Sequence, residues 1–189
     1  MELSSPASHV TDFRIRRATV GDAALLARAA SNLFAQTFAA QNRPEDLRAY
    51  LSTAFGEDQQ SRELADPNGL LWVAEDREAA IGYAHVKLGS APPSLPIERP
   101  AELVRIYADR GWHGKGVGAR LLETCVGAAL DWGASAIWLG VWKENPRGIA
   151  FYQKNGFQIA GEQTFLLGSD PQHDWIMVRD LDQRTAGSS

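Results

Sequence analysis

The chain of 189 residues contains one cysteine, Cys125. A lone thiol allows no disulfide within the chain, which excludes a small cross-linked scaffold and fits a reducing compartment. No run of about 18 apolar residues occurs, so nothing reads as a membrane span. The first residues, Met1-Glu2-Leu3-Ser4-Ser5-Pro6, lack the basic-then-apolar pattern of a secretory signal. The cytoplasm is therefore the expected location. Basic residues are not in excess: 19 Lys and Arg stand against 23 Asp and Glu, a formal charge of -4. A nucleic-acid partner thus has no electrostatic support. The histidines and the cysteine form no cluster with metal-ligand spacing, so no metal is expected.

What is present is an ordinary globular composition, 44% hydrophobic and 22% charged. That is enough for one domain with a real core. No repeat or linker divides the chain. The reading is a domain over 12–182 with polar tails, expected to be disordered, at 1–11 and 183–189.

The densest local signal is the turn Gly111-Trp112-His113-Gly114-Lys115-Gly116-Val117-Gly118-Ala119. An apolar run, Leu103 to Ala108, precedes it as a strand. The stripe Val117, Leu121, Leu122, Cys125, Ala128, Ala129 and Trp132 follows as a helix, and places Cys125 in a core rather than a site. Glycines free the backbone for positive φ and for close approach by a ligand. A helix start supplies unpaired N–H groups and a positive dipole end. Together these make a phosphate or diphosphate cradle.

Around this centre, Phe13 to Ala18 alternates as a strand. Thr19 to Asp22 reads as a helix start, and the helix runs to about Phe38. Pro44 opens a second helix; a short polar one covers Asp58 to Leu64. Leu70–Ala74 and Ala80–Leu88 read as a hairpin turning at Asp76-Arg77-Glu78. Ser90 to Pro100, rich in proline, is a loop. Ala136–Val141 is a further strand. Asn145-Pro146 starts a short helix that Gly156 ends. Phe157–Phe165 and Trp175–Leu181 are the final strands, with His173 in a loop and His85 structural or at the surface. Trp72, Trp138 and Trp175 are read as core. A strand-helix-strand crossover at 102–141 implies a parallel pair, so the sheet is mixed.

A nucleotide-binding loop of the Gly-Lys-Ser/Thr kind is excluded, because Gly116 follows Lys115. Gly114 to Ala119 fits G-x-G-x-x-G/A, yet the strand beyond carries no acid, so a dinucleotide fold fits poorly. A third pattern uses more of the chain. His113-Gly114-Lys115-Gly116-Val117-Gly118, followed after a strand by Asn145 and by Phe151-Tyr152-Gln153-Lys154-Asn155-Gly156-Phe157, resembles the GNAT family of N-acetyltransferases. His113 stands where that family prefers Gln or Arg. Asn42 to Leu51, Arg105-Ile106-Tyr107, Leu139 to Trp142 and Asp174-Trp175-Ile176-Met177 are similar to the Pai-type bacterial spermine/spermidine acetyltransferases. The likeness spans roughly residues 13–181.

The resemblance implies an α/β single-domain GNAT fold: a mixed, mostly antiparallel sheet whose central parallel pair splays, flanked by helices. It implies acetyl-CoA as co-substrate and a small-molecule primary amine, polyamines included, as acceptor. Main-chain amides in the turn would hold the diphosphate, with His113, Gly114, Lys115, Gly116, Val117, Gly118 and Ala119 as cofactor-binding positions. An amide at Tyr107 or Ala108 would polarise the thioester carbonyl. Asn145 would cap its helix and contact the cofactor. Tyr152 would protonate the departing thiolate, and Glu102 would take the amine's proton, directly or through water. Arg105 and Tyr107 are expected on the strand face opposite Glu102. An acid that the Pai-type pattern carries is replaced by Val104, which weakens the match to a multiply charged polyamine. A homodimer is left open. The rival readings are a protein or peptide amine acetyltransferase and a CoA-binding sensor without turnover.

Overall fold

A computed structural model describes residues 12–77, 79–92, 94–167 and 170–182. The two tails named above and Glu78 of the hairpin turn lie outside those residues. The alternating stretches form strands and the 3.6-period stretches form helices, in the order β1 (Arg14–Arg17), α1 (Ala23–Phe38), α2 (Pro44–Ala54), α3 (Glu57–Ala65), β2 (Gly69–Asp76), β3 (Ala79–Leu88), β4 (Pro100–Ala108), α4 (Val117–Trp132), β5 (Ala136–Trp142), α5 (Pro146–Lys154), β6 (Gln158–Leu167) and β7 (Asp170–Asp180).

The helix ends follow local chemistry. The Asp22 carboxylate accepts from the Thr19 N–H at 2.7 Å and from the Arg16 guanidinium at 2.8 Å. Those bonds fix the entry to α1 and hold the Asp22 pKa far below the usual carboxylate range. Pro44 and Pro146 occupy first-turn positions, where no N–H is needed. Asn145 Oδ1 accepts from the Gly148 N–H at 2.9 Å. Gly133 (φ +87°) closes α4, and Gly156 (φ +85°) follows α5.

The seven strands form one sheet in the order β1-β2-β3-β4-β5-β7-β6. All neighbours are antiparallel except β4 and β5. One face packs on α4 through Val117, Leu121, Leu122, Cys125 and Ala129, against Leu103, Ile137 and Leu139. The other packs on α1 and α2 through Leu26, Leu33, Phe34, Leu47 and Tyr83. Burial of each such Leu or Phe contributes about 1.5–3 kcal/mol. No helix among the described residues is long and apolar enough to cross a membrane.

Two expectations are corrected. β7 begins at Asp170, so His173 is a strand residue and not a loop residue. The alternation that carries β7 upstream of Trp175 is interrupted by Pro171 and hidden by polar side chains. Trp175 packs half-buried against the core, as expected of it, with the Lys143 ammonium 3.9 Å from its ring centre. Finally, the β3–β4 register slips between His85 and Val86: Arg105 faces His85 while Leu103 faces Val86, leaving Val104 as a bulge. Ala101, Leu103, Ile106 and Ala108 then share the α4 face, and Tyr107 lies on the other. The extra residue therefore puts Glu102, Arg105 and Tyr107 on one face, against strict alternation.

β3 comes unusually close to the start of α4 at Gly82. A Cβ there would lie 2.9 Å from the Tyr107 carbonyl oxygen, 3.0 Å from Val117 Cγ1 and 3.2 Å from Leu121 Cδ1. Gly82→Ala is expected to destabilise the fold by roughly 1–3 kcal/mol through overpacking. Urea denaturation measures this; an unchanged midpoint contradicts the close approach.

Candidate active site

β4 and β5 pair only at Pro100–Ala136, Ala101–Ile137 and Glu102–Trp138. Beyond that point β4 stays with β3 as far as Ala108, and β5 stays with β7 as far as Trp142. The facing edges of 103–108 and 139–142 are therefore parted, and their main-chain groups have no strand partner. The Asp109 N–H donates to the Ile81 carbonyl at 2.8 Å, on the β3 side. Main-chain direction alternates along a strand, so the Ala108 and Ile106 groups turn toward the gap and those of Tyr107 toward β3.

The glycine turn closes the wide end of the gap. Gly114 (φ +77°) and Gly116 (φ +86°) take the left-handed conformation, and open space lies where their side chains would be. The His113 and Lys115 amides are used within the turn, donating to Arg110 and Trp112 carbonyls at 3.2 Å. The amides of Gly114, Gly116, Val117, Gly118 and Ala119 have no acceptor among the described residues. They sit at the positive end of α4. The Lys115 ammonium lies 5.0 Å from the Trp112 ring centre.

The turn is braced from two sides. His113 Nε2 is 3.0 Å from the Ala108 carbonyl oxygen. A carbonyl only accepts, so that nitrogen carries the proton. Burial, then the nearby Arg147 charge, push the His113 pKa down, so the ring is neutral and ties the turn to the end of β4. Asp109 accepts from the Gly111 N–H at 2.8 Å and from Gln36 of α1 at 2.9 Å.

A cleft of about 650 Å³ runs from the turn through the gap to the other face of the sheet. Tyr107, Ala108, His113, Gly114, Gly116, Val117, Gly118, Ala119, Asn145, Tyr152 and Glu102 all line it, and Lys115 does not. Tyr152 is half-buried on α5, its ring 5.7 Å from Phe157. Burial, with Cys125 beside it, pushes the phenol pKa well above its ordinary value, so it keeps its proton at neutral pH. Arg147 also lines the cleft. Sequence reasoning missed it because an exposed arginine in a first helical turn carries no signal of its own.

Glu102 and Asp174 line the cleft, and Glu63 pairs with Arg105 of its wall. Glu102 accepts from the Ser90 hydroxyl at 2.6 Å, where the strands begin to part. Glu63 is committed to Arg105, with both oxygens 2.8 Å from Nη1. Its Oε2 is also 3.6 Å from Nδ1 of His85, a buried ring that desolvation holds neutral with a pKa near 4. Asp174 is different. It is buried in the cleft wall, 8% exposed, and burial raises its pKa to about 6 against a small opposing effect of His173. No hydrogen bond or cation reaches it among the described residues. The other buried acids have cations: Asp46 has Arg43 at 2.7 Å, and Glu75 has Arg14 at 2.9 Å and Arg16 at 2.8 Å. Period-two spacing back from the apolar Ile176 puts Asp174 and Gln172 on the inward face, a signal available only had the strand been read from Asp170.

Residues 29–157 match the family model described as the acetyltransferase (GNAT) family. An uncharacterised N-acetyltransferase of Mycobacterium tuberculosis (strain H37Rv) is 33% identical over 160 residues, 85% of this chain and 98% of the relative. An uncharacterised N-acetyltransferase of Lactobacillus delbrueckii subsp. lactis is 30% identical over 148 residues, 78% of this chain and 86% of the relative. Among solved structures, the PaiA N-acetyltransferase of Thermoplasma acidophilum in complex with coenzyme A has a TM-score of 0.75 at 22% identity, covering 90% of this chain and 99% of its own. At that identity the likeness is one of fold.

The Asp174 environment has a consequence for stability. The folded-state pKa of about 6 lies above the ordinary 3.8, so the native state holds this proton more tightly than the unfolded chain. The stability it contributes is complete below about pH 4 and is lost as pH rises through about 6. Asp174→Asn is expected to melt with wild type at pH 4 and about 2–6 °C above it at pH 7.5. Calorimetric scans at the two pH values measure this; a variant less stable at pH 7.5 contradicts the unpaired state of the carboxylate.

Proposed function

This chain belongs to the acetyltransferase (GNAT) family and is an acyltransferase that uses acetyl-CoA; we propose that it passes the acetyl group directly to a primary amine of a small molecule. The observation that carries this reading is the row of unpartnered amides from Gly114 to Ala119 opening beside the parted strands. We take residues 12–182 as the catalytic unit.

Acetyl-CoA itself supplies the activated acyl group. The amides of Gly114, Gly116, Val117, Gly118 and Ala119 hold its diphosphate. His113 acts through its brace on Ala108 rather than by touching the anion, and Lys115 adds charge at the rim. The free edges of β4 and β5 take the pantetheine arm as an added strand. The gap-facing amide of Ala108 donates to the thioester oxygen as negative charge builds there; the Tyr107 amide, turned to β3, does not. Asn145 holds the start of α5 and so the placing of Tyr152.

The acceptor's ammonium first loses a proton to Glu102, through water. Its nitrogen then attacks the carbonyl carbon, and the C–N bond forms as the C–S bond breaks. The thiolate leaves with the proton of the Tyr152 phenol, whose buried setting keeps that proton available. The Tyr152 phenol is restored when its phenolate takes the second proton that the nitrogen gives up.

A polyamine acceptor has separate support. A probable spermine N(1)-acetyltransferase of Bacillus subtilis subsp. natto is 29% identical over 80 residues, 42% of this chain and 49% of its own length. Tyr152→Phe is expected to lower kcat by about 10²–10⁴ with CoA affinity unchanged within about twofold. Turnover assays paired with calorimetry measure this. Unchanged kcat removes Tyr152 from the reaction; CoA binding without turnover on any amine favours a sensor.

A further inference from the structure

On the face of the sheet away from α4, the cleft forms a chamber that the transfer chemistry leaves unassigned. Its walls are rings. Phe34 of α1 lies 4.6 Å from Phe38 and 4.9 Å from Tyr50 of α2. Tyr50 is 5.5 Å from Phe165 of β6, and Phe38 is 6.4 Å from Trp142 of β5. All five rings line the same cleft as Asp174. The floor between them and Asp174 exists because residue 140 has no side chain. A Cβ at Gly140 would lie 2.6 Å from Gln163 Nε2 and 3.2 Å from Asp174 Oδ2.

A buried carboxylate without a cation is costly, and such groups are paired when a structure is complete. Arg105, which also lines the cleft, is taken by Glu63. What the chamber lacks is thus one positive charge, delivered on a body that fits against aromatic rings. Aromatic faces attract ammonium groups as well.

We propose that Asp174 is the counter-ion of the incoming ammonium, and that the acceptor is a monoamine carried on an apolar or aromatic body. This rests on the acetyl-transfer reading and narrows it. Asp174 is a binding residue that brings the nitrogen to the mouth of the strand gap; the proton leaves by the route given above. A polyamine fits less well. Its second ammonium would have only Glu102, which Ser90 already engages at 2.6 Å, and Val104 supplies no further acid.

Steady-state assays with acetyl-CoA and phenethylamine, hexylamine or spermidine test this on wild type, Asp174→Asn and Glu102→Gln. The expected result is a lower KM for phenethylamine and hexylamine than for spermidine. Asp174→Asn raises the KM for phenethylamine by roughly 10–100-fold, the loss of one charge-assisted contact, and changes kcat by less than about threefold. Glu102→Gln acts on kcat instead. Gly140→Ala, which pushes Asp174 and Gln163 into the chamber, also raises KM and serves as the second variant. A spermidine preference, an unchanged KM in Asp174→Asn, or a loss confined to kcat overturns the proposal. If no amine turns over, the acetyl-transfer reading fails by itself. Calorimetry of phenethylamine with CoA-loaded protein then still decides Asp174: weaker binding in the Asn variant supports it, and equal or absent binding overturns it.

Discussion

A main-chain N–H or C=O that loses its partner must find another. This molecule gathers such groups at one end of its sheet. β4 and β5 run side by side for three residues and then part, while each keeps its outer neighbour. The sheet is thereby opened at its centre, where strands are usually sealed, and the edges exposed belong to rigid strands held on the far side. The glycine turn adds a second set of unpaired donors at the mouth of the opening. A ligand that is part anion and part extended amide chain satisfies both sets at once. The remaining features of the site follow from that division of the sheet.

The frame around the opening is stiff for identifiable reasons. Close contact at Gly82 locks β3 to the first turn of α4. The His113 and Asp109 bonds fix the turn to β4 and to α1. The bulge at Val104 turns Glu102, Arg105 and Tyr107 to one side, so Glu102 and the aromatic rings of the cleft share a face. Gly140 then leaves room for Gln163 and Asp174 to come forward. The proposed donor and acceptor halves thus meet through the sheet rather than on its surface.

Much of this was legible in the chain. The span of α4 follows from the stripe between Gly116 and Gly133. The proline-started helices, the hairpin and the parallel crossover follow from local signals of the same kind. The motif pair around Gly114–Gly118 and Asn145–Gly156 indicated the family. Illegible features were those set by tertiary register. A one-residue slip in the β3–β4 ladder reverses which residues face together, and nothing in Glu102-Leu103-Val104-Arg105 announces it. The solitude of Asp174 is likewise a property of the assembled cleft, because it depends on no donor or cation of the other described elements reaching it. Which amides the turn consumes internally, those of His113 and Lys115, is likewise set by its folded geometry and not by its residue types.

The central claim is that the amides of Gly114 to Ala119 grip a diphosphate and thereby place the thioester in the gap. Isothermal titration calorimetry of the folded wild-type protein with coenzyme A and with pantetheine, which lacks the diphosphate, tests it most directly. The account predicts saturable binding of coenzyme A and binding of pantetheine weaker by at least about 100-fold, consistent with several charge-assisted bonds. Equal affinity for the two, or no heat with either, would contradict it.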